Sequence, residues 1–114
     1  MACIFCDIAQ GRQDARIVYE DDMVRGFYDI HPKAPVHLLF VPKIHIESIA
    51  HLKEEDGSVI VALVFAAKKV AEQQGLIGYK LMWNVGPEAG QVVPHLHLHL
   101  LAGTKDALSQ VSAV

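Results

Sequence analysis

Several things are scarce in this sequence. It has two cysteines in 114 residues, too few for a disulfide scaffold. A chain of this length needs none, because it buries roughly two thirds of its unfolded surface on folding. No apolar run is long enough for a membrane: the longest, residues 59–67, has nine residues against the ~18–20 that a span requires. Positive charge is not in excess. Ten Lys and Arg against thirteen Asp and Glu give a net charge of −3, which leaves no footprint for a nucleic-acid polymer. The opening Met-Ala-Cys-Ile-Phe-Cys-Asp lacks the basic region and long apolar core of a secretory signal. Hydrophobic residues make up 52% of the chain, which excludes intrinsic disorder. The expectation is one cytoplasmic domain over 1–114, with its core at about 3–103, reduced cysteines and no membrane association.

Histidine is abundant by contrast. His31, His37, His45 and His51 fall in one stretch, and His95, His97 and His99 in another. Cys3 and Cys6 form a Cys-x-x-Cys pair. Nothing precedes it to supply the strand of a redox motif, so half of a zinc site is the better reading.

The coarse organisation is legible. Residues 3–10 read as a short helical turn ended by Gly11. Residues 16–20 and 23–29 read as strands around the acidic turn 20–22. Residues 31–35 form a proline-punctuated loop, and 36–41 a β-rich run stopped by Pro42. Residues 46–51 suggest another helical turn. One long helix is expected over 58–74, N-capped by Asp56 or Ser58 and closed by Gly75. Its first two turns are apolar nearly all round, which implies burial on both faces. Strands at 78–84 and 92–101 flank a loop at 85–90. The class is α+β, with five strands in a mostly antiparallel sheet, one long helix and a short N-terminal helix. Residues 104–114 read as a weakly ordered tail.

Pro94-His95-Leu96-His97-Leu98-His99-Leu100 alternates without a break. In an extended strand the three histidines share one face and the leucines the other. Three readings are open: a solvated polar face, a set of metal ligands, or nucleophilic and acid–base chemistry by imidazole.

Residues 90–101 resemble the signature of the histidine triad family, His-x-His-x-His followed by two apolar residues. Cys3-Ile4-Phe5-Cys6, Phe27-Tyr28-Asp29-Ile30, Ala34-Pro35-Val36-His37, Val41-Pro42-Lys43-Ile44-His45 and Asn84-Val85-Gly86 follow the family's order as well. The branch most similar is the nucleotide-binding one. The resemblance implies the histidine triad fold as a two-fold dimer. It also implies hydrolysis of purine nucleoside 5′-phosphoramidates or related nucleotidyl compounds, including acyl-AMP, to the mononucleotide.

Roles follow from the resemblance position by position. His97 would be the nucleophile, His99 a donor to the phosphate oxygens, and His37 their neighbour. Asp29 would take the ribose hydroxyls. Ile4, Phe5, Ile8, Phe27, Ile30 and Leu39 would line the base pocket. Asn84 and the stretch Gly90, Gln91, Val92 and Val93 would hold the phosphate. Cys3, Cys6, His45 and His95 match the zinc ligands of metal-binding members. No organic cofactor is implied. His31 and His51 match no functional position and read as surface residues.

Two departures from the family pattern stand out. Val92 occupies a position where many relatives carry a hydroxyl that assists the leaving group. The tail lacks the aromatic-Pro-Gly ending that reaches across the dimer in similar proteins. Two other readings remain beside hydrolysis: a nucleotide-binding protein that acts by partner interaction, and a metalloenzyme using the triad itself as ligands. The all-round apolar helix independently calls for a second copy of the chain.

Overall fold

The computed structural model describes residues 3–103 and residue 108; the tail expected to be weakly ordered lies otherwise outside them. Helix α1 spans Ile4–Ala9. The Cys3 thiol caps it by accepting the Cys6 amide at 3.4 Å, and Gly11 leaves it at φ 77°. Strands β1 (Ile17–Glu20) and β2 (Val24–Tyr28) form the expected hairpin. Its turn is built on Asp21, whose Oδ1 accepts the amides of Met23 and Val24, both at 2.8 Å.

Strand β3 runs Val36–Pro42 and the long helix α2 Gly57–Gln73. Strands β4 (Lys80–Met82) and β5 (Leu98–Ala102) complete one antiparallel sheet in the order β1-β2-β3-β5-β4. The helix begins and ends within a residue of the expected limits, and Asp56 stands at its N-cap as expected, though without a side-chain capping bond. Asp56 instead turns its Oδ2 back to accept the Lys53 amide at 2.9 Å, closing the 3₁₀ turn that precedes the helix.

The two faces of the sheet are covered differently. Val59, Leu63, Ala66, Ala67, Val70 and Ala71 of α2 lie on one face, against Val24, Leu38, Phe40, Leu96, Leu98 and Leu100. On the other face α1 packs Phe5 and Ile8 against Phe27, Leu39 and Val41, and leaves the rest open. Gly26 in β2 permits the close approach of β3, since a Cβ there would sit 2.7 Å from Phe40 Cε1.

The last strand is shorter than expected. Residues 92–97 form no ladder, because Pro94 has no amide hydrogen to give one. The stretch is pinned from outside instead. Leu96 donates its amide to the carbonyl of Ile46 at 2.6 Å. The Gln91 amide nitrogen donates to the carbonyls of Glu47 (2.7 Å) and Val93 (3.1 Å), while its Oε1 accepts the Gly86 amide at 2.8 Å. The strand expected over 78–84 likewise contracts to Lys80–Met82.

Candidate active site

The open part of the second face is a cavity of about 640 Å³. Its floor comes from strand register. The pairing of β3 with β5 sets Leu39 opposite His99 and His37 opposite Leu101, so these side chains emerge on the face away from α2. His97, just before β5, projects the same way, while Leu96, Leu98 and Leu100 lie under α2. The leucine/histidine alternation thus holds although the first part of it is not strand.

His97 and His95 each commit one ring nitrogen to a backbone carbonyl, and that commitment fixes the role of the other. His97 donates Nδ1–H to the carbonyl of His95 at 2.7 Å. A carbonyl only accepts, so the lone pair of His97 is on Nε2. The ring lines the cavity and is braced edge-on by Phe5, with centroids 5.0 Å apart. Burial lowers the His97 pKa, which keeps the imidazole neutral and nucleophilic.

His95 is turned the other way. It donates Nε2–H to the carbonyl of Pro42 at 3.0 Å, leaving a lone pair on Nδ1. That nitrogen lies 3.1 Å from His45 Nδ1, 3.3 Å from Cys6 Sγ and 3.6 Å from Cys3 Sγ. All four atoms lie within 4.8 Å of one another. Two thiols and two imidazole nitrogens converging on one point fit a tetrahedral Cys₂His₂ metal set, whose edges are about 3.3–3.8 Å. Burial, followed by the neighbouring Cys3, raises the Cys6 pKa, so a metal entering here would displace a proton.

The triad is therefore divided. His95 faces the cysteines, and His97 and His99 face the cavity, which removes the geometry needed for all three to ligate one ion. His37, buried on β3, lies 2.9 Å from His99 through Nε2 and Nδ1. Asp29 Oδ2 is 3.5 Å from the same His37 nitrogen, and Asp29 Oδ1 accepts the His31 amide at 2.8 Å. Burial pushes His99 down to about 4 and lowers His37 as well.

All the expected base, ribose and phosphate residues line the cavity except one. Ile4, Phe5, Ile8, Phe27 and Leu39 form the apolar end. Ile30 (83% exposed) and Val92 (90% exposed) stand at the rim. Gln91 is the exception: its side chain is buried and spent on holding the 86–93 loop, so its part is to shape that end of the cavity. Gln13, Asp14, Tyr28, Lys33 and Met82 also line the cavity, as does His31, which was expected to be a surface residue without a role. Only nearness in sequence to Asp29 marks Tyr28, His31 and Lys33. Gln13 and Asp14 arrive through the path of the chain after α1, which no motif encodes.

Comparison with known proteins agrees with this geometry. The family model described as scavenger mRNA decapping enzyme C-term binding matches residues 2–113. Protein HitA of Neisseria gonorrhoeae is 41% identical over 100 residues, covering 87% of this chain and 94% of that protein. The purine nucleoside phosphoramidase of Escherichia coli (strain K12) is 39% identical over 102 residues, covering 88% and 86%. Among solved structures, a HIT family hydrolase from Legionella pneumophila superposes with a TM-score of 0.89 at 44% identity, covering 91% of this chain and 95% of that one. A histidine triad protein from Clostridium difficile gives 0.88 at 40% identity, covering 90% and 91%. The chain belongs to the histidine triad family, and its matched relatives include hydrolases of that family.

Proposed function

We propose that the protein hydrolyses purine nucleoside 5′-phosphoramidates, or related nucleotidyl compounds such as acyl-AMP, to the mononucleotide. The carrying observation is the 2.7 Å tie from His97 Nδ1 to the His95 carbonyl, which leaves Nε2 as a fixed, buried lone pair in the cavity. His97 Nε2 attacks the α-phosphorus, forming a P–N bond as the bond to the leaving group breaks; the leaving group takes that electron pair and, when it is an amine, a proton supplied by water, departing as ammonia or the free amine. The ring then carries positive charge, which the Nδ1–H to carbonyl bond stabilises. Water attacks the phosphorus from the vacated side, the P–N bond breaks, its electron pair returns to Nε2, and the mononucleotide leaves. His99 donates to a phosphoryl oxygen as charge develops. Asp29 receives the ribose hydroxyls, and the apolar end takes the purine. Asn84 and the backbone from Gly90 to Val93 seat the phosphate.

Cys3, Cys6, His45 and His95 would hold a structural zinc, which supplies a cross-link and no catalytic step. A thiol pair held for metal suits a reducing compartment, so the reading places the protein in the cytoplasm. A second copy of the chain covers the exposed side of α2.

Adenosine 5′-phosphoramidate should release AMP, and His97→Ala should abolish release while nucleotide still binds. Equal rates for the two proteins would reject the mechanism. Val92, exposed at the rim with no proton to give, favours a second reading in which the protein binds nucleotide without turning it over. Normal nucleotide affinity with no turnover of any phosphoramidate or acyl nucleotide would select that reading.

A further inference from the structure

We propose that the backbone amide of Lys33 sets the tautomers of His37 and His99, and that His37 is a positioning residue holding His99 as an Nε2–H donor toward the cavity. The proposal rests on the phosphoryl-transfer reading for its purpose, though not for its geometry.

The chain of donors begins with a group that cannot change its role. The Lys33 amide donates to His37 Nδ1 at 3.0 Å. The lone pair of neutral His37 is therefore on Nδ1 and its proton on Nε2. That Nε2 faces His99 Nδ1 at 2.9 Å, with Asp29 Oδ2 further away at 3.5 Å. Its single proton goes to the nearer acceptor, so His99 Nδ1 holds a lone pair and the His99 proton is on Nε2. His99 is 8% exposed, and its Nε2 is a buried side-chain nitrogen without a hydrogen-bond partner. Buried donors are almost always paired, and one left open in a cavity wall marks the place of a missing acceptor. Beside the His97 lone pair, that acceptor is an anionic oxygen on the atom under attack.

The same order of donors settles a rival use of these groups. Asp29, His37 and His99 lie close enough to share a metal ion. To ligate through Nε2, His37 would have to move its proton to Nδ1, where it would point at the Lys33 N–H. The amide therefore selects hydrogen bonding over metal binding at this cluster.

Long-range ¹H–¹⁵N correlation on protein labelled at histidine nitrogen reads each tautomer directly. The nucleotide-free protein should show His37 and His99 as Nε2–H and His97 as Nδ1–H. An Nδ1–H form of either His37 or His99 would overturn the proposal. Lys33→Pro removes the amide proton and should leave His99 a mixture of tautomers, whereas Lys33→Ala keeps the amide and should keep the pattern. A wild-type pattern in Lys33→Pro would overturn the role of the amide.

Should Lys33→Pro fail to fold, His37→Leu and His37→Gln give the answer. His37→Leu lacks any donor and should scramble His99 and lower kcat about a hundredfold with little change in KM. Gln places an N–H near the former Nε2 and should restore the His99 tautomer and much of kcat. Loss in His37→Leu without rescue by His37→Gln, the tautomer of His99 unchanged in both, would also reject it. Absence of turnover on every nucleotide would reject the phosphoryl-transfer reading, and the tautomers would still decide the relay.

Discussion

His95, His97 and His99 are the same side chain at intervals of two, and three different partners make them three different groups. The carbonyl of Pro42 leaves His95 with its lone pair on Nδ1, facing the two cysteines as the proposed metal set requires. The carbonyl of His95 leaves His97 with its lone pair on Nε2, as the proposed nucleophile requires. In the proposed relay, His37 makes His99 a donor. Burying His99 as a neutral ring also ties stability to pH. Its folded pKa is about 4 against an ordinary 6.5, so between those values the unfolded chain binds the extra proton. Stability contributed by neutral His99 is complete above pH 6.5 and is lost as pH falls toward 4, a loss on the order of 3 kcal/mol. Denaturant melts at pH 7 and 4.5 should differ less in His99→Gln than in the parent; an equal difference would rule this out. The identity of the histidines was legible in the sequence, since alternation alone assigns faces. Their division of labour was not, because each partner comes from a distant part of the chain.

At the scale of elements, three segments meet at the Cys₂His₂ cluster: α1 with Cys3 and Cys6, the loop after β3 with His45, and the unladdered stretch before β5 with His95. That stretch lines the cavity with Val92 and Val93 and leads directly into His97. A metal here would fasten α1, and with it Phe5, to the stretch that carries His97. Metal analysis should find one zinc per chain, and Cys3→Ser/Cys6→Ser should lose it. If the loss costs about 2 kcal/mol, Tm falls by roughly 10 °C. Zinc-free native protein, or zinc retained in the double variant, would contradict the assignment. Elements with their own periodicity were readable: α2 was expected over 58–74 and runs Gly57–Gln73. The ends that depend on tertiary partners were not. Pro94 and the three-way bridge of Gln91 replace strand by a braced loop, and the bridge needs Glu47 and Gly86, which no local pattern connects.

For the whole molecule, the remaining feature is the outer side of α2. Val61 and Phe65 are 55% and 54% exposed in the single chain, on the face for which a second copy is expected. Leu81 of β4 pairs with Leu100, whose side chain lies under α2, so it joins the same side of the sheet. Strand β4 is one of the sheet's two edges, and Ile77 just before it is fully exposed. Exposed apolar side chains on α2 and an open strand edge suit an isologous contact, in which each copy offers the same surface. Sedimentation at micromolar concentration should give a dimer, and Phe65→Glu should give a folded monomer. A monomeric parent would contradict this.

The central claim is that His97 carries the nucleotidyl group, and capture of that intermediate tests it most directly. Protein mixed with an acyl-adenylate or adenosine phosphoramidate and quenched within milliseconds should gain the mass of one adenylyl group. Peptide mapping should place the group on His97, and His97→Ala should gain none. An adduct on another residue, or steady turnover with no adduct at any quench time, would contradict it.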